Sequence, residues 1–579
     1  MLLVSLRRLI EKETGETDFS LDEAELNGRG DFSTNVAFLL AKSASTADVP
    51  KRRKVSPMTV AEDLKERFLK GASASFFEKA EVAAPGFINF WVSKKAVEDE
   101  LVDITGGKNR VGLNEFSGKK VMVEYTDPNP FKQFHIGHLM TNTIGESIAR
   151  LCEAAGAEVT RVNYQGDVGL HVALSIWGIM KINDEMPDES ATLADKTKFL
   201  GRAYALGATG YKEDAEAKVE IEGLNKKIYE RTDEEINKIY DLGRKWSLDY
   251  FENLYKRLDT KFIHYFFESE VGSYGVEIVK AHPEVFIKSE GAIIFPGEKY
   301  GLHNRVFINS LGLPTYEAKE LGLNKRKAEL YNPDVSLIVT AKEINEYFHV
   351  LLKAMEFVVP EIGSKTKHIG HGMLRLPTGK MSSRTGNVIT AEALLSELRD
   401  AVSVKINNRE DLTDIEKEEI KERVAIAAIR YSILKQGIGK DIIFDIDTSV
   451  SFHGDSGPYL QYTYARLKSI LRKARLNGGS ADEAEFDAKN ISMETDAKII
   501  LKLARFQEVV RRAAHASQPN YVATYLYDLA QVVNHYYEIN NILQSDTSIK
   551  AVRLNLISAV AETLKNGLNL LGIKTLERM

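Results

Sequence analysis

The sequence predicts an α/β protein in three parts: a small α+β domain, a Rossmann-type parallel-sheet domain carrying a helical insertion, and an all-α bundle. Three observations predict it. The 579 residues exceed what one hydrophobic core holds. A strand–loop–helix–strand pattern starts near Lys119 and returns after about residue 335. Beyond Ala391 the chain is almost wholly helical in pattern. The expected divisions are 1–105, 106–390 and 391–579, with the insertion at about 184–261.

Residues Asn35 to Lys42 and Thr59 to Phe68 read as helices of the first part, and Ala84 to Val92 as a strand. The turn-rich Thr105-Gly106-Gly107-Lys108-Asn109 marks its end. Val121 to Tyr125 reads as a buried strand, followed by a loop with Pro128 and Pro130. A helix then starts near His135 to Gly137, with Leu139, Ile144, Ile148 and Leu151 on one face, and stops near Gly156. Val159 to Tyr164 is the next strand. Residues 184–261 are charged and helical in composition, without a strand–loop–helix unit. The α/β pattern resumes with a strand at Val335 to Val339, a helix to about Phe357 and a strand near Lys367 to Met373. In the bundle, Leu460, Tyr464, Leu467 and Leu471 form an amphipathic stripe.

Composition narrows the class. Apolar residues make up 44% and charged residues 28%, as in ordinary water-soluble proteins. No run reaches the roughly 18 apolar residues of a membrane span, and the start lacks a signal-peptide core. No membrane role and a cytoplasmic, reducing setting are expected. The single Cys152 excludes an internal disulfide and a cysteine zinc cluster, so no protein-bound zinc or other metal is expected. Net charge is −6, yet from Leu460 onward 16 Lys and Arg face 12 Asp and Glu, a surplus of +4. That surplus suits a solvated helical surface rather more than an RNA-binding module, on charge alone.

Chemistry concentrates in two loops. In Phe134-His135-Ile136-Gly137-His138, two histidines three apart open a helix. The helix N-terminus offers free N–H groups and partial positive charge to a phosphate. Gly137 lets a ligand approach the backbone, and both histidines can steady charge developing on phosphoryl oxygens. The alternative is that His135 and His138 simply cap the helix. Thr378 to Asn387 is the second loop. Lys380, Arg384 and the hydroxyls of Ser382 and Ser383 suit closure over phosphates, and Gly379 and Gly386 give that loop freedom.

Together these segments resemble the HIGH and KMSKS motifs of class I aminoacyl-tRNA synthetases. Ser383 and Arg384 stand where the family has lysine and serine, and Lys380 is kept. Lys132, just upstream of the first motif, adds charge. Within that class, Glu124 to His135, Asn163 to Gly169 and Gly454 to Arg466 are similar to arginyl-tRNA synthetases. So are Gly30 to Ala37 and Pro85 to Asn89, which resemble that family's N-terminal domain. Other readings are a class I lysyl-tRNA synthetase, a small nucleotidyltransferase and a non-catalytic RNA-binding paralogue.

The resemblance implies activation of L-arginine by ATP, with Mg²⁺, and transfer to tRNA(Arg), with the first step needing bound tRNA. It implies ATP contacts from His135, Gly137, His138, Lys380, Met381, Ser382 and Ser383, with His135, His138 and Lys380 catalytic. A guanidinium is planar, always charged and rich in donors, so its pocket needs carboxylates and few competing cations. Glu124, Asn129 and Tyr316 match the family's arginine contacts, with His135 beside them. Glu320 stands where aspartate is usual, and Glu268 is similar to a further carboxylate. Tyr316 and Glu320 alone would be an exposed helix pair. For tRNA the implied contacts are Phe32 and Asn35 in the N-terminal domain and Tyr459, Tyr525 and Asn534 in an anticodon-binding bundle. Tyr521, Tyr536 and Tyr537 are further stacking candidates, half of this set being core by periodicity. Lys51-Arg52-Arg53-Lys54 is a phosphate contact or a solvated loop. A monomer is expected.

Overall fold

The apolar run Val121-Met122-Val123 lies at the middle of a five-stranded sheet in the computed structural model, which describes residues 2–24, 30–46, 56–70, 75–108, 112–377, 389–476 and 487–579. The strands are β1 (Lys120–Glu124), β2 (Glu158–Gln165), β3 (His264–Phe267), β4 (Val335–Ala341) and β5 (Thr366–His371). Their order is β5-β4-β1-β2-β3, and every pairing is parallel. Met122, Val123, Val162 and Val339 have no exposure, because helices cover both faces of a parallel sheet. The winding reverses between β1 and β4. The carboxyl ends of strands at such a reversal open onto a crevice, the usual ligand site of this architecture.

Three helices frame the crevice: α1 (Ile136–Ala154), α2 (Glu268–Ala281) and α3 (Tyr316–Tyr331). α2 and α3 lie unusually close. A Cβ at Gly275 would sit 1.7 Å from the Ala318 carbonyl oxygen, and one at Gly322 2.3 Å from that of Val271. These two glycines let the backbones touch and carry the side chains of α3 into the crevice.

The insertion is the three helices Leu193–Glu213, Ala215–Glu230 and Glu234–Arg257. Thr192, Asp214 and Asp233 cap them by accepting first-turn N–H groups. Sequence patterning misses two pieces of the catalytic part. One is β3, the edge strand. The other is an antiparallel sheet of Ile287–Ser289, Ala292–Phe295 and Arg305–Ile308. Strands of three or four residues are too short to show alternation; their neighbours define them.

The N-terminal part is a four-stranded antiparallel sheet in the order Leu21–Glu23, Phe32–Thr34, Phe87–Val92, Phe77–Ala83. Helices Leu2–Thr14, Val36–Thr46, Pro57–Lys70 and Lys94–Asp103 accompany it. Beyond Ala391 long helices dominate, and Leu460, Tyr464 and Leu467 are buried as their stripe predicts. Arg7 forks onto Glu508 at 2.6 and 3.0 Å, Lys502 meets Glu23 at 2.8 Å, Arg505 meets Glu23, and Arg512 meets Asp22. Part of the C-terminal positive surplus is therefore spent on the N-terminal domain rather than offered to RNA. No described helix is long and apolar enough to cross a membrane.

Candidate active site at the sheet reversal

His135 is the N-cap of α1. Its Nδ1 accepts the N–H groups of Gly137 at 3.1 Å and His138 at 3.4 Å, and His138 Nδ1 accepts the His135 N–H at 3.3 Å. The rings stack with centroids 3.7 Å apart. Capping is thus real, and it engages Nδ1 rather than Nε2 of each ring. With both Nδ1 atoms accepting, a neutral ring carries its proton on Nε2. Burial, reinforced by the Lys132 charge, lowers His135 to about 4. Burial and His135 push His138 well below the usual range. Both imidazoles are neutral Nε2–H donors at pH 7. Gly137 has a different reason from the one expected: a Cβ there would lie 2.8 Å from the His135 ring. The space a ligand was to use is held by the capping histidine itself.

Lys380, Met381, Ser382, Ser383 and Arg384 lie outside the described residues, as does Lys51 to Lys54. The chain on either side of the Lys380 loop is placed. Before it, β5 runs at the sheet edge beside β4. After it, the Ile389 carbonyl accepts from Ile136 N at 3.2 Å, and Ala391 N donates to the Phe134 carbonyl at 2.9 Å. The fold therefore brings the chain just after the second motif onto the first.

Beside the histidines lies an acidic pocket. Glu124 ends β1, Glu268 begins α2, and Glu320 points in from α3; they are 1%, 6% and 6% exposed. Asn129 and Glu268 meet over Gly166, where a Cβ would stand 2.4 Å from Asn129 Oδ1 and 3.1 Å from Glu268 Oε1. Burial and the Glu124 charge push Glu320 up to about 8. Burial also raises Glu268. Tyr316 is 65% exposed at the mouth, its carbonyl accepting from Tyr347 Oη at 3.1 Å. Tyr316 and Glu320 are thus no exposed pair, since Glu320 is buried.

The expectation of few competing cations is wrong. Lys327 Nζ stands 2.5 Å from Glu124 Oε2, and Lys319 Nζ stands 2.7 Å from Glu268 Oε2 and 2.9 Å from Tyr229 Oη. Both lysines are almost fully buried. Sequence reasoning missed them because they look like ordinary lysines of a charged helix. The signal was present: Lys319, Glu320 and Lys327 fall among small and apolar residues rather than on one polar stripe. The insertion also reaches the site. Tyr229 bonds Lys319, while Tyr240 and Arg244 donate to the fully buried Asp167, which also accepts from Ser269 at the start of α2.

The remaining candidates divide by burial. Phe32 is 1% exposed in the N-terminal core, and Tyr525 is 4% exposed with its hydroxyl on the Lys502 carbonyl. Their aromatic rings fill cores, so the expected RNA contacts are withdrawn; Tyr536, 3% exposed, goes with them. Asn35 accepts from Ser20 N at 2.8 Å. Asn534 donates to Tyr459 Oη at 2.8 Å, leaving both part-exposed on the bundle surface, as is Tyr537; Tyr521 is 37% exposed.

A five-stranded parallel sheet with a histidine-capped helix start at its reversal, and with the chain after the second motif returning to that start, is the arrangement of a class I tRNA synthetase. Residues 100–446 match the family described as tRNA synthetases class I (R), catalytic domain. Residues 2–92 match the arginyl tRNA synthetase N terminal domain, and residues 460–579 the DALR anticodon binding domain. The arginine–tRNA ligase of Fusobacterium nucleatum is 31% identical over 95% of this chain and 93% of its own. That of Clostridium acetobutylicum is 30% identical over 90% and 91%. The solved arginyl-tRNA synthetase of Thermus thermophilus matches over the full length of both chains, with a TM-score of 0.82 and 25% identity. The chain belongs to the arginyl-tRNA synthetase family. It is an ATP-using ligase that aminoacylates tRNA(Arg) with arginine.

Proposed function

We propose how this chain divides that reaction among its residues. Arginine's carboxylate attacks the α-phosphorus of ATP, pyrophosphate leaves, and arginyl-adenylate forms. The terminal ribose hydroxyl of tRNA then attacks the adenylate carbonyl and releases AMP. His135 and His138 donate from Nε2 to the phosphoryl oxygens, and Lys380 neutralises charge from the opposite loop. Met381, Ser382 and Ser383 complete the ATP contacts, Gly137 serves the His135 cap instead, and Lys132 adds a half-buried ammonium to the same side. Mg²⁺ would ride on the phosphates of ATP, since this side of the site offers imidazole and ammonium rather than carboxylate donors.

The acidic pocket takes the amino acid. Glu124, Glu268 and Glu320 supply negative charge, Asn129 and His135 orient the reacting end, and Tyr316 covers the mouth. The observation that carries this reading is the meeting of an anion-seeking helix start and a carboxylate-lined pocket at one sheet reversal. Asn35 on one domain and Tyr459 and Asn534 on the bundle are the proposed tRNA contacts. The division at residues 105 and 390, a monomeric state and a cytoplasmic location complete the reading.

Pyrophosphate exchange tests it, run with arginine and with lysine, each with and without tRNA. Exchange with arginine alone, and only when tRNA is present, is the expected result. Exchange driven by lysine would sink the pocket assignment, and exchange without tRNA would sink the tRNA dependence.

A further inference from the structure

Arg430 is 1% exposed near the end of the bundle helix Asp414–Leu434, and among the described residues no carboxylate pairs with it. Its Nη1 donates to the Gly572 carbonyl and its Nη2 to the Leu258 carbonyl, while Nε is buried without a partner. Both acceptors lie at helix ends. Leu258 is the C-cap of the last insertion helix, Glu234–Arg257, and Gly572 follows the C-cap of the last bundle helix, Thr547–Leu570. Each end carries unmet carbonyls equal to about half a negative charge, so two ends offset one guanidinium. Gly572 is shaped to this contact. Its φ is 69°, and a Cβ there would stand 1.8 Å from Arg430 Nη1.

Arg150 on α1 grips the same two ends from the other side. Its Nη1 donates to the Asn569 carbonyl at 3.1 Å and Oδ1 at 2.8 Å, and its Nη2 to the Asp259 carbonyl at 3.0 Å and Oδ2 at 3.1 Å. Ser147, one turn earlier on α1, donates from Oγ to the Leu570 carbonyl at 2.8 Å. The two arginines repel each other. Burial and the Arg150 charge lower Arg430 to about 10, against the pull of Glu146 and Asp259. An apolar side chain would fill this space without that cost. What it would not do is hold two carbonyls from separate helices at fixed directions, as a planar guanidinium does.

We propose that Arg430 is a positioning residue: with Arg150 it clamps the ends of the insertion and of the bundle onto α1, and so sets where His135 and His138 stand. This rests on the role given to those histidines above. α1 runs unbroken from Ile136 to Ala154, and Ser147 lies about 14 Å along it from His138. A helix moves as a rod over that length, so a slip at the clamped end becomes a slip at the histidines. Arg430 touches no substrate in this scheme and acts only through the helix ends it holds.

The test is Arg430→Met, which keeps the bulk and removes the two bonds, read by pyrophosphate exchange at saturating tRNA. The kcat is expected to fall about 10- to 100-fold, the scale of a misplacement of about 1 Å at the reacting groups, with the arginine and ATP KM within about threefold of wild type. Arg430→Lys keeps the charge but not the fork, and should recover part of the loss. Ser147→Ala should lower kcat in the wild-type background and add little in Arg430→Met, because both bonds hold the same helix end. If Arg430→Met does not fold, Arg430→Lys and Ser147→Ala carry the test, each with a lowered kcat and unchanged KM values. A kcat unchanged in the folded Arg430 variants, with only the melting temperature lowered, overturns the clamp. If His135→Asn also leaves kcat unchanged, the reading of the histidines falls with it; if His135→Asn alone lowers kcat, that reading stands and only the clamp is lost.

Discussion

Lys327 on α3 and Glu124 at the end of β1 meet at 2.5 Å, with their side chains 1% and 2% exposed. The pair joins a helix of one half of the sheet to a strand of the other, across the reversal of the winding. Its two charges were taken fully out of water, so each depends on the other.

Removing one partner should therefore be worse than removing both. Lys327→Met strands a buried carboxylate and should cost about 3–5 kcal/mol of folding stability. Adding Glu124→Gln should return part of that loss. A double-mutant cycle from urea unfolding checks it, and a double variant less stable than Lys327→Met would show that the pair is not coupled.

The double role of His135 can be split. Asparagine is a good N-cap but has no donor at the Nε2 position. His135→Asn should leave the melting temperature within about 2 °C and lower adenylate formation about 100- to 1,000-fold. His135→Ala should lose a further increment of stability, about 1 kcal/mol. Equal melting losses in the two variants would mean that the capping bond contributes nothing.

Glu320 links arginine binding to pH. In the empty pocket burial and Glu124 push it up to about 8, so at pH 7 it is mostly protonated. A cationic substrate favours the carboxylate, and binding must release that proton. The arginine KM should fall about tenfold as pH rises from 6.5 to 8 and then level off. Glu320→Gln should flatten the profile. A wild-type KM that stays constant, or that rises over this interval, would show that Glu320 does not titrate on binding.

Much of this was readable from local signals. Glu124 to His138 and Asn163 to Gly169 carry their motifs in unbroken runs, and β1, α1 and β2 appear within a residue or two of their expected bounds. The capping alternative for His135 was readable too, though only the placed rings show that capping fixes the tautomer.

The sequence by itself determined the α/β architecture, the order of the parts and the family, because periodicity and contiguous motifs are properties of neighbours along the chain. The tertiary structure alone decided the content of the amino-acid pocket. Lys319 and Lys327 became internal counter-ions only when Gly275 and Gly322 let α3 press on α2. Phe32 and Tyr525 left the RNA surface only when sheet and bundle closed over them. Tyr229, more than eighty residues from Lys319 along the chain, joined the site through the insertion. Burial and ion pairing depend on what packs from distant segments, and a residue's type and local spacing do not encode that.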